Sequence, residues 1–391
     1  MRAPRRWRIL AAVILIAAVL GYVAAPYVRA ASLFIRVAHV GGRIEAIANN
    51  QAHAVTIMSP HTVPTRHGPV PAQFYRPDGR FTRTALLIPG IHSMGIKEPR
   101  LTALAHDMAG SGVMVMTLAL PDLQRYKITP DSTDVIEDAT LWLTKQHDLA
   151  PDGRIGIIGI SFAGGLSVVA AGRESMRDKL AYVLSFGGHA DLPRVMRYLA
   201  TGEEVHLPGV ELHPPHDYGV AVILLGIADR IVPPDQVPAL RHGIETFLTA
   251  SQLTLVDMNK AKATFEQSQA IAATLPEPSA HLMRYVNERN TKALGAELVP
   301  VLDRIGAEEY PPPLSAEQSP TPSAPVYLLH GTEDTVIPAV ETRLLAQSLR
   351  ARGATVHPLL SGLITHAEVD KSAAAAETVR LVGFWAAMLN E

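Results

Sequence analysis

Apolar runs of strand length alternate along most of the chain with longer segments of helical period. Strands are predicted at these runs, over residues 55–58, 72–75, 84–88, 113–118, 154–158, 181–186, 325–329 and 354–360. Helices are predicted between them, for example over residues 101–110 and 134–147, where Ser132 or Thr133 is a candidate N-cap. The alternation predicts an α/β fold with a doubly wound, mostly parallel sheet covered by helices on both faces.

A long segment rich in helix-forming residues separates the strand ending at residue 186 from the strand starting at residue 325. Helices are predicted within it over residues 252–274, 280–289 and 291–305. A proline-rich stretch over residues 311–325 then returns the chain to the sheet. We interpret residues 190–320 as a helical cap inserted into one α/β domain over residues 52–391. Such a cap shapes a pocket, covers apolar sheet surface or makes a dimer contact.

The amino terminus has the pattern of a membrane segment. Residues 9–28 carry no charged side chain, and arginines precede them at positions 2, 5, 6 and 8. A helix rising ~1.5 Å per residue spans the ~30 Å hydrocarbon core over this length. Because arginines favour the cytoplasmic side, residues 1–8 are expected there. Everything after residue 28 is then expected on the far side, which is the periplasmic side of a bacterial inner membrane.

Three interpretations of this terminus stay open. A transmembrane signal anchor comes first, since the apolar part of a cleavable signal peptide is only ~7–15 residues long. A cleaved signal peptide comes second, with Val28, Arg29 and Ala30 as its processing site. A buried core helix comes last. With an anchor, residues 29–51 are expected to be a tether or an amphipathic approach segment, and the globular domain to begin near Ala52.

Composition and charge exclude several classes of protein. The chain has 391 residues, of which 48% are hydrophobic and 18% charged, so one large core can be buried. The net charge of −2, without a basic stripe, does not favour nucleic-acid binding. No cysteine is present, which excludes disulfides and thiolate metal sites. The sequence does not indicate an oligomeric state.

Ser161 is the candidate nucleophile. It lies in the run GISFAGG at residues 159–165, directly after the strand over residues 154–158. Small residues two positions before and after a serine let a strand turn sharply into a helix, which presents the hydroxyl above the sheet. Ala163 replaces the second glycine of the usual pattern, and alanine is the next smallest residue. The alternative is a buried strand that ends at a glycine-rich helix start.

A candidate acid and a candidate base follow Ser161 along the chain. The strand over residues 325–329 leads into the segment HGTEDTVIP, which contains Asp334, and the strand over residues 354–360 leads to His366. A serine hydroxyl is a poor nucleophile at neutral pH, so a neutral imidazole at His366 would take its proton. Asp334 would hold the ring in the correct tautomer and stabilise the imidazolium.

Asp229 is an alternative acid. Residues 224–234, with the sequence LLGIADRIVPP, look similar to the segment HGTEDTVIP that contains Asp334, hereafter the acid loop. In the fold that the serine motif resembles, that of the α/β-hydrolase family, three strands follow the nucleophile strand, and the runs ending at residues 186, 329 and 360 already supply them. Residues 218–229 also carry apolar side chains at helical spacing, which is typical of a cap helix. Asp334 is therefore preferred to Asp229.

The serine motif and the acid and histidine loops resemble the α/β-hydrolase family, with the nearest likeness to bacterial serine esterases and dienelactone hydrolases. The resemblance covers residues 52–391, and Ser161 in place of an aspartate argues against the dehalogenase branch. It implies a small-molecule ester or acyl substrate, cleaved through an acyl-enzyme without a cofactor. Acyltransferases, thioesterases and peptidases use the same apparatus, and a non-catalytic binding scaffold is a further alternative.

Two backbone amides are expected to stabilise the oxyanion of the intermediate. One is the amide of Phe162, directly after the nucleophile. The resemblance places the other at Ile91 in the loop PGIHSMG, although Pro89 stands where relatives commonly have a histidine. His92 in the same loop and His189 after the strand ending at residue 186 are candidate substrate contacts, as is Asp191 beside His189.

No metal site is predicted. The run HPPHD at residues 213–217 is interpreted as structural, because two prolines do not place both histidines on one helical face. A third histidine or cysteine at ligand spacing is also missing from the sequence around it.

Overall fold

A computed structural model describes residues 5–254, 257–308, 314–365, 368–369 and 375–391, with side chains for residues 21–254, 257–305, 314–364 and 376–391. The helices are α1 (Arg5–Val37), α2 (Gly42–Asn50), α3 (Pro99–Gly110), α4 (Pro121–Gln124), α5 (Pro130–Leu143), α6 (Phe162–Ala171), α7 (Leu192–Thr201), α8 (Asp217–Ile231), α9 (Val237–Leu253), α10 (Met258–Ala272), α11 (Ser279–Asn287), α12 (Thr291–Glu308), α13 (Val340–Ala351) and α14 (Ala375–Met388). The strands are β1 (Val55–Ile57), β2 (His61–Val63), β3 (Val70–Pro77), β4 (Arg83–Ile88), β5 (Val113–Leu118), β6 (Ile155–Ile160), β7 (Leu180–Phe186), β8 (Val326–Gly331), β9 (Val356–Ser361), β10 (Ile364–Thr365) and β11 (Glu368–Val369).

The main sheet is mostly parallel, as the sequence predicts. Within the described residues its order is β1-β3-β5-β4-β6-β7-β8-β9, with β2 also paired to β3. The strands from β5 to β9 along this order are parallel, whereas β3 runs antiparallel to β5. The chain builds outward from β4 to β5 and then returns to place β6 on the other side of β4. Ligands bind at such reversals of strand order, beyond the carboxyl ends of the strands.

Helices cover both faces of the sheet, which explains why its strands are apolar without alternation. Leu86 and Leu87 are both fully buried, yet they belong to two separate hydrophobic clusters on opposite faces. One cluster includes residues of α5, α6 and α13, and the other includes residues of α1, α3 and α14. The doubly wound arrangement is therefore confirmed.

Between β7 and β8, the described secondary-structure elements are all helices, from α7 through α12, and loops such as residues 202–216 join them. Residues 220–225 lie within α8, so the prediction of a helix there is confirmed and the strand alternative is wrong. The predicted helix over residues 252–274 is divided in two. α9 ends at Leu253, and Asp257 starts α10 by accepting a hydrogen bond from the Lys260 amide at 3.0 Å. Residues 309–313 lie outside the described part.

The helix predicted over residues 134–147 begins and ends about one turn earlier. Pro130 occupies its first turn and Thr129 is the N-cap, without a capping hydrogen bond from its side chain. Proline is favoured at the first helical position because its missing N–H has no partner there in any helix. Ser132 and Thr133, the predicted caps, lie inside the helix.

The segment over residues 29–51 is not a tether, so this prediction is wrong. α1 continues to Val37, and Ala30 and Leu33 are buried in the cluster that also contains α3 and α14. Arg36 donates to the Asp107 carbonyl at 2.6 Å and to Ser111 Oγ at 2.7 Å. Apolar residues at helical spacing allow this docking, and the globular body therefore begins before Ala52.

Among the helices for which side chains are described, none is long and apolar enough to cross a membrane. The predicted anchor over residues 9–28 belongs to α1, and its side chains up to residue 20 lie outside the described part of the chain.

Candidate active site

Ser161 occupies the turn between β6 and α6. Its φ of 56° and ψ of −133° are costly for a residue with a side chain. The turn is tight, since a Cβ at Gly159 would collide with the Ala163 carbonyl. A side chain at position 159 is thus excluded by backbone, and Ser161 is held with only 6% of its surface exposed. This strained strand-to-helix turn is the geometry that presents a nucleophilic hydroxyl.

Neighbouring strands hold the turn in place. The Ser161 amide donates to the Phe186 carbonyl at the end of β7 at 2.7 Å. A Cβ at Gly164 would lie 2.6 Å from Ser185 Oγ, so α6 approaches β7 too closely for a side chain there. Ala163, the departure from the usual motif, carries its methyl group into the core. The glycines that the packing requires are present, and the alanine fits.

The loop after β4 lies against the serine. A Cβ at Gly90 would be 2.9 Å from Ser161 Cβ and 3.6 Å from Ser161 Oγ. Ile91 follows directly, and neither its amide nor that of Phe162 donates a hydrogen bond to another part of the described chain. Free amides beside the nucleophile are what an oxyanion needs. The assignment of Phe162 and Ile91 as oxyanion donors stays a prediction.

Residues after β5 support this loop. Tyr126, with a positive φ of 60°, has its hydroxyl close to Ser93 in the loop and to Gln252 in the cap. Burial raises the pKa of Tyr126, which keeps its hydroxyl protonated. His92 accepts from the Met94 amide at 3.1 Å, and burial lowers the pKa of His92. His92 thus stabilises the turn of its own loop by this hydrogen bond to Nδ1, and its contact with substrate stays a prediction. Sequence reasoning missed Tyr126, whose bonding partners are distant in the chain.

Asp334 lies in the loop after β8, and β7 separates β8 from β6, the strand that leads to Ser161. It is 2% exposed, and its Oδ1 accepts from the Val336 and Ile337 amides at 2.8 and 3.0 Å. Its Oδ2 lies 3.4 Å from the position of a Cβ at Gly187. The Ser161 amide is hydrogen-bonded to Phe186, which precedes Gly187 in the chain. Ser161 and Asp334 therefore both border the end of β7.

His330 supports the acid loop, and sequence reasoning missed it. Its ring is fully buried, with Nδ1 2.8 Å from Thr342 Oγ1 and Nε2 2.8 Å from the Ile337 carbonyl. Nε2 is also 3.3 Å from Asp334 Oδ2. With both nitrogens engaged and no exposure, this histidine positions Asp334 rather than exchanging protons with a substrate. Its spacing of four residues from the aspartate was the available signal.

His366 lies outside the described residues. On either side of it, β10 and β11 pair antiparallel, with Thr365 opposite Glu368. The segment that carries His366 follows β9, whose Ser361 carbonyl accepts from the Thr332 amide of the acid loop at 3.1 Å. The acid loop and the histidine segment therefore leave from adjacent strand ends. The role of His366 stays a prediction.

Asp229 is in a different environment. It lies near the end of α8, its side chain is about half exposed, and Arg241 contacts it at 2.8 Å. A helical, solvated carboxylate in an ion pair does not resemble the buried acid of a triad.

His189, a candidate substrate contact in the sequence, lies deep in the core and not at the surface of a pocket. It is fully buried, and its Nε2 lies 2.9 Å from the Leu314 carbonyl. Burial lowers the pKa of His189 to about 4. Asp191 is a helix cap, accepting from the Arg194 amide at 2.9 Å and from Gln318 Nε2 at 2.7 Å. The chain turns inward after β7, which the sequence pattern did not indicate.

The start of α8 lies beside the acid loop. The His216 amide donates to the Thr335 carbonyl at 2.8 Å, and the Tyr198 hydroxyl donates to Thr335 at 3.3 Å. Tyr218 follows in the first turn of α8, where burial and the nearby charge of Asp334 raise the pKa of Tyr218. Tyr218 is therefore a candidate wall of the pocket. His216 Nδ1 accepts from the Tyr218 amide at 3.3 Å, which is the structural role expected for the HPPHD run.

The sequence matches no family model and no curated protein. Among solved structures the chain is similar to a hyperthermophilic esterase from the archaeon Pyrobaculum calidifontis, with 16% identity, a TM-score of 0.47, and coverage of 93% of this chain and 91% of that one. It is also similar to an acylaminoacyl peptidase from Pyrococcus horikoshii, with 11% identity, a TM-score of 0.46, and coverage of 88% of this chain and 42% of that one.

The strand order and the serine turn decide the fold. Ser161 follows a central parallel strand, the loop after the adjacent β4 lies against it, and Asp334 follows β8, in the arrangement that the sequence resemblance implies. The chain has the α/β-hydrolase fold. Since this fold hosts many activities, the function has to be argued from the site itself.

One described group in this α/β-hydrolase fold has the geometry of metal ligands. Atoms of His67, Asp131 and Asp134 lie within 4.8 Å of one another. Arg173 contacts Asp134 at 2.7 Å, and Arg66 contacts it at 3.5 Å. The guanidinium groups already neutralise this carboxylate, so the group is an ion-pair network on α5.

Proposed function

We propose that the protein is a serine hydrolase that cleaves carboxylic esters through an acyl-enzyme. The observation that carries the proposal is the position of Ser161, in a strained turn at the reversal of strand order. The Gly90 loop on one side and the strand end that Asp334 borders on the other support the same interpretation.

In the proposed first step, Ser161 Oγ attacks the ester carbonyl carbon while His366 takes the hydroxyl proton. The amides of Phe162 and Ile91 bind the resulting oxyanion. The bond to the alcohol then breaks, and His366 returns the proton to the leaving oxygen. Water attacks the acyl-enzyme in the second step, its proton passes through His366 to Ser161, and the carboxylic acid leaves.

The buried surroundings of Asp334 suit the proposed role of this residue. Two amides and the edge of the His330 ring face its oxygens. Hydrogen bonds to the charged form of a carboxylate favour ionisation, which offsets the cost of burial. An ionised Asp334 at a fixed position would orient His366 and stabilise the imidazolium.

A fluorophosphonate probe tests the proposal directly, because it labels only an activated serine. We expect labelling of the parent and of Ser167→Ala, a matched change within α6, and no labelling of Ser161→Ala. Hydrolysis of p-nitrophenyl butyrate should follow the same pattern and persist in a metal chelator. Labelling that survives in Ser161→Ala, or activity that a chelator abolishes and zinc restores, would show that the proposal is wrong.

We propose further that α1 anchors the chain in a membrane, with the catalytic domain outside the cytoplasm. The arginines before residue 9 and the uncharged run over residues 9–28 support this topology. Protease added to cells with a permeabilised outer envelope should digest the domain, and the chain should sediment with membranes. Protection of the domain would contradict the orientation, and a soluble form beginning near Ala31 would contradict the anchor.

A further inference from the structure

A small polar cavity lies between the carboxyl-terminal half of α1 and the end of α3. Its volume is about 70 Å³. The polar residues that line it are Arg29, Ser32, Arg36, Gln51, His53 and Ser111. Three of these are basic or can become basic, and none is acidic.

Arg36 places a buried guanidinium in the wall of the cavity, and the hydrogen-bonding capacity of this group is only partly used. Only 4% of its surface is exposed, and a terminal nitrogen bonds to Ser111 and to the Asp107 carbonyl. The Nε atom is buried without a hydrogen-bond partner among the described residues, although Asp107 Oδ1 lies 3.5 Å away. A buried donor without an acceptor costs free energy, so an oxygen ligand at this position would stabilise the protein.

The surrounding charges favour an anion. Asp107 offsets part of the Arg36 charge, but Arg29 adds a second guanidinium. Arg83 lies close enough that its charge, together with burial, lowers the pKa of Arg29. Arg29 therefore has a positive neighbour at the mouth of the cavity, and an anion with several oxygens would relieve this repulsion.

The position of the cavity along α1 identifies the source of the anion. Val28, the last residue of the uncharged run, also lines the cavity, so the site begins where the predicted membrane segment ends. Tyr22 and Tyr27 are 83% and 53% exposed in the turns before it. Tyrosines and arginines in this order are typical of the boundary between hydrocarbon and headgroups, where lipid phosphates lie.

We propose that this cavity binds the phosphate group of a membrane phospholipid and fixes the globular body against the bilayer. The inference rests on the proposed membrane anchor. Arg36 meets α3 at its carboxyl end, just before β5 begins, whereas Ser161 follows the end of the parallel strand β6. The lipid would therefore bind at the edge of the sheet opposite the active site. Substrate would then reach Ser161 from the aqueous side.

The full chain in a neutral sugar detergent tests the proposal. We expect native mass spectrometry to show one retained dioleoyl phosphatidylglycerol, and the melting temperature to rise by about 3 °C at saturating lipid. A dioleoyl galactolipid without phosphate should give neither result. Inorganic phosphate at the same concentration should also give no shift, because it lacks the acyl chains that place the headgroup beside α1.

Three variants locate the site. Arg36→Gln should abolish retention of the lipid, and Arg29→Gln, which changes an exposed side chain without threatening the fold, should weaken binding about tenfold. Arg43→Gln, an exposed arginine of α2 outside the cavity, should bind as the parent does. A loss in Arg43→Gln equal to that in Arg29→Gln would show general surface attraction and overturn the site.

The other outcomes are equally decisive. An equal shift with the galactolipid would mean that only the acyl chains bind, and an equal shift with inorganic phosphate would mean a site for free anions. Either result overturns the proposal. Retention of phosphatidylglycerol does not depend on ester hydrolysis, so failure of the active-site proposal is seen separately. A chain that sediments with membranes but retains no lipid keeps the anchor and loses this site.

Discussion

Two segments with similar sequences have different structures in this protein. Residues 328–338 read LLHGTEDTVIP, and residues 224–234 read LLGIADRIVPP. The first segment ends strand β8 and buries Asp334 in a tight loop. The second lies mostly in helix α8 and leaves Asp229 about half exposed beside Arg241. An aspartate followed by apolar residues and a proline therefore does not by itself identify the acid of a triad.

The neighbours of each segment explain the difference. β8 lies between β7 and β9, and its backbone is paired on both sides. All six of its residues are buried, as a central parallel strand requires. The residues before Asp229 pair with no strand of the described sheet. They lie in α8, where residues 219–221, 223–225, 227 and 228 are buried, so this helix is enclosed on most sides.

The largest expected effect comes from exchanging the two carboxylates for amides. Asp334→Asn should lower the rate of ester hydrolysis by about 10⁴-fold, because the histidine would lose its tautomer constraint and its counter-charge. Asp229→Asn should change the rate less than about threefold, since only a surface ion pair is lost. The measurement is kcat/KM for variants that melt within a few degrees of the parent. A dead Asp229→Asn together with an active Asp334→Asn would reverse the comparison.

Two glycine substitutions sharpen the comparison at the level of the backbone. In Gly90→Ala the new methyl group would lie 2.9 Å from Ser161 Cβ, so the loop with the Ile91 amide must move. We expect kcat to fall by about 10²-fold with a smaller change in KM, as for loss of one oxyanion donor.

Gly226→Ala, in α8, is the matched control. Its methyl group would be 3.5 Å from the nearest atom, which is ordinary contact. We expect an unchanged rate and a gain in stability of up to about 1 kcal/mol from helix propensity. A loss of activity in Gly226→Ala as large as that in Gly90→Ala would mean that α8 acts on the chemistry after all.

Low pH should lower the free energy of unfolding through His189, which is buried in the core beside the sheet. The folded pKa of His189 is about 4, below its unfolded value of 6.5, so between these values only the unfolded chain binds the proton. The neutral, buried ring therefore contributes no penalty above pH 6.5, and stability is lost as the pH falls from there towards 4. Lowering the pH from 7 to 5 should cost about 2 kcal/mol through this residue.

Urea unfolding at the two pH values measures this cost. His189→Asn should lose less stability on acidification than the parent does, by about that amount. His106→Asn, a change of an exposed histidine in α3, is the control and should respond as the parent does. Equal pH dependence in His189→Asn and the parent would contradict the buried, neutral state of His189.

The smallest expected effect on stability comes from breaking the ion pair of Asp229 with Arg241. The 2.8 Å pair between Asp229 and Arg241 joins α8 to α9, but both side chains are solvated. Arg241→Gln should lower the free energy of unfolding by at most about 1 kcal/mol, and high salt should reduce this difference. A loss of several kcal/mol in thermal or urea unfolding would mean that Asp229 is held in a buried network like that of Asp334.

Local pattern was sufficient for most of the sheet and for the serine turn. A buried parallel strand must be apolar along its whole length, and such runs predicted β4 through β9 near their observed positions. The turn at Ser161 needs small residues at fixed offsets, so the run GISFAGG predicts it without any knowledge of its neighbours. The number of strands that follow Ser161 in the sequence also favours a helix over residues 220–225.

Only the tertiary structure decided the features that depend on partners far away in the sequence. Arg36 is buried because α3 offers it a carbonyl 71 residues later. His189 can be buried because the Leu314 carbonyl forms a hydrogen bond with its ring. Tyr126 lies close to both Ser93 and Gln252 because the cap packs over the loop after β4. A long-range hydrogen bond depends on single residues, so it produces no repeating pattern of polar and apolar positions in the sequence. Sequence periodicity therefore cannot predict it. The sequence therefore determined which elements form, and long-range contacts determined which polar side chains they enclose.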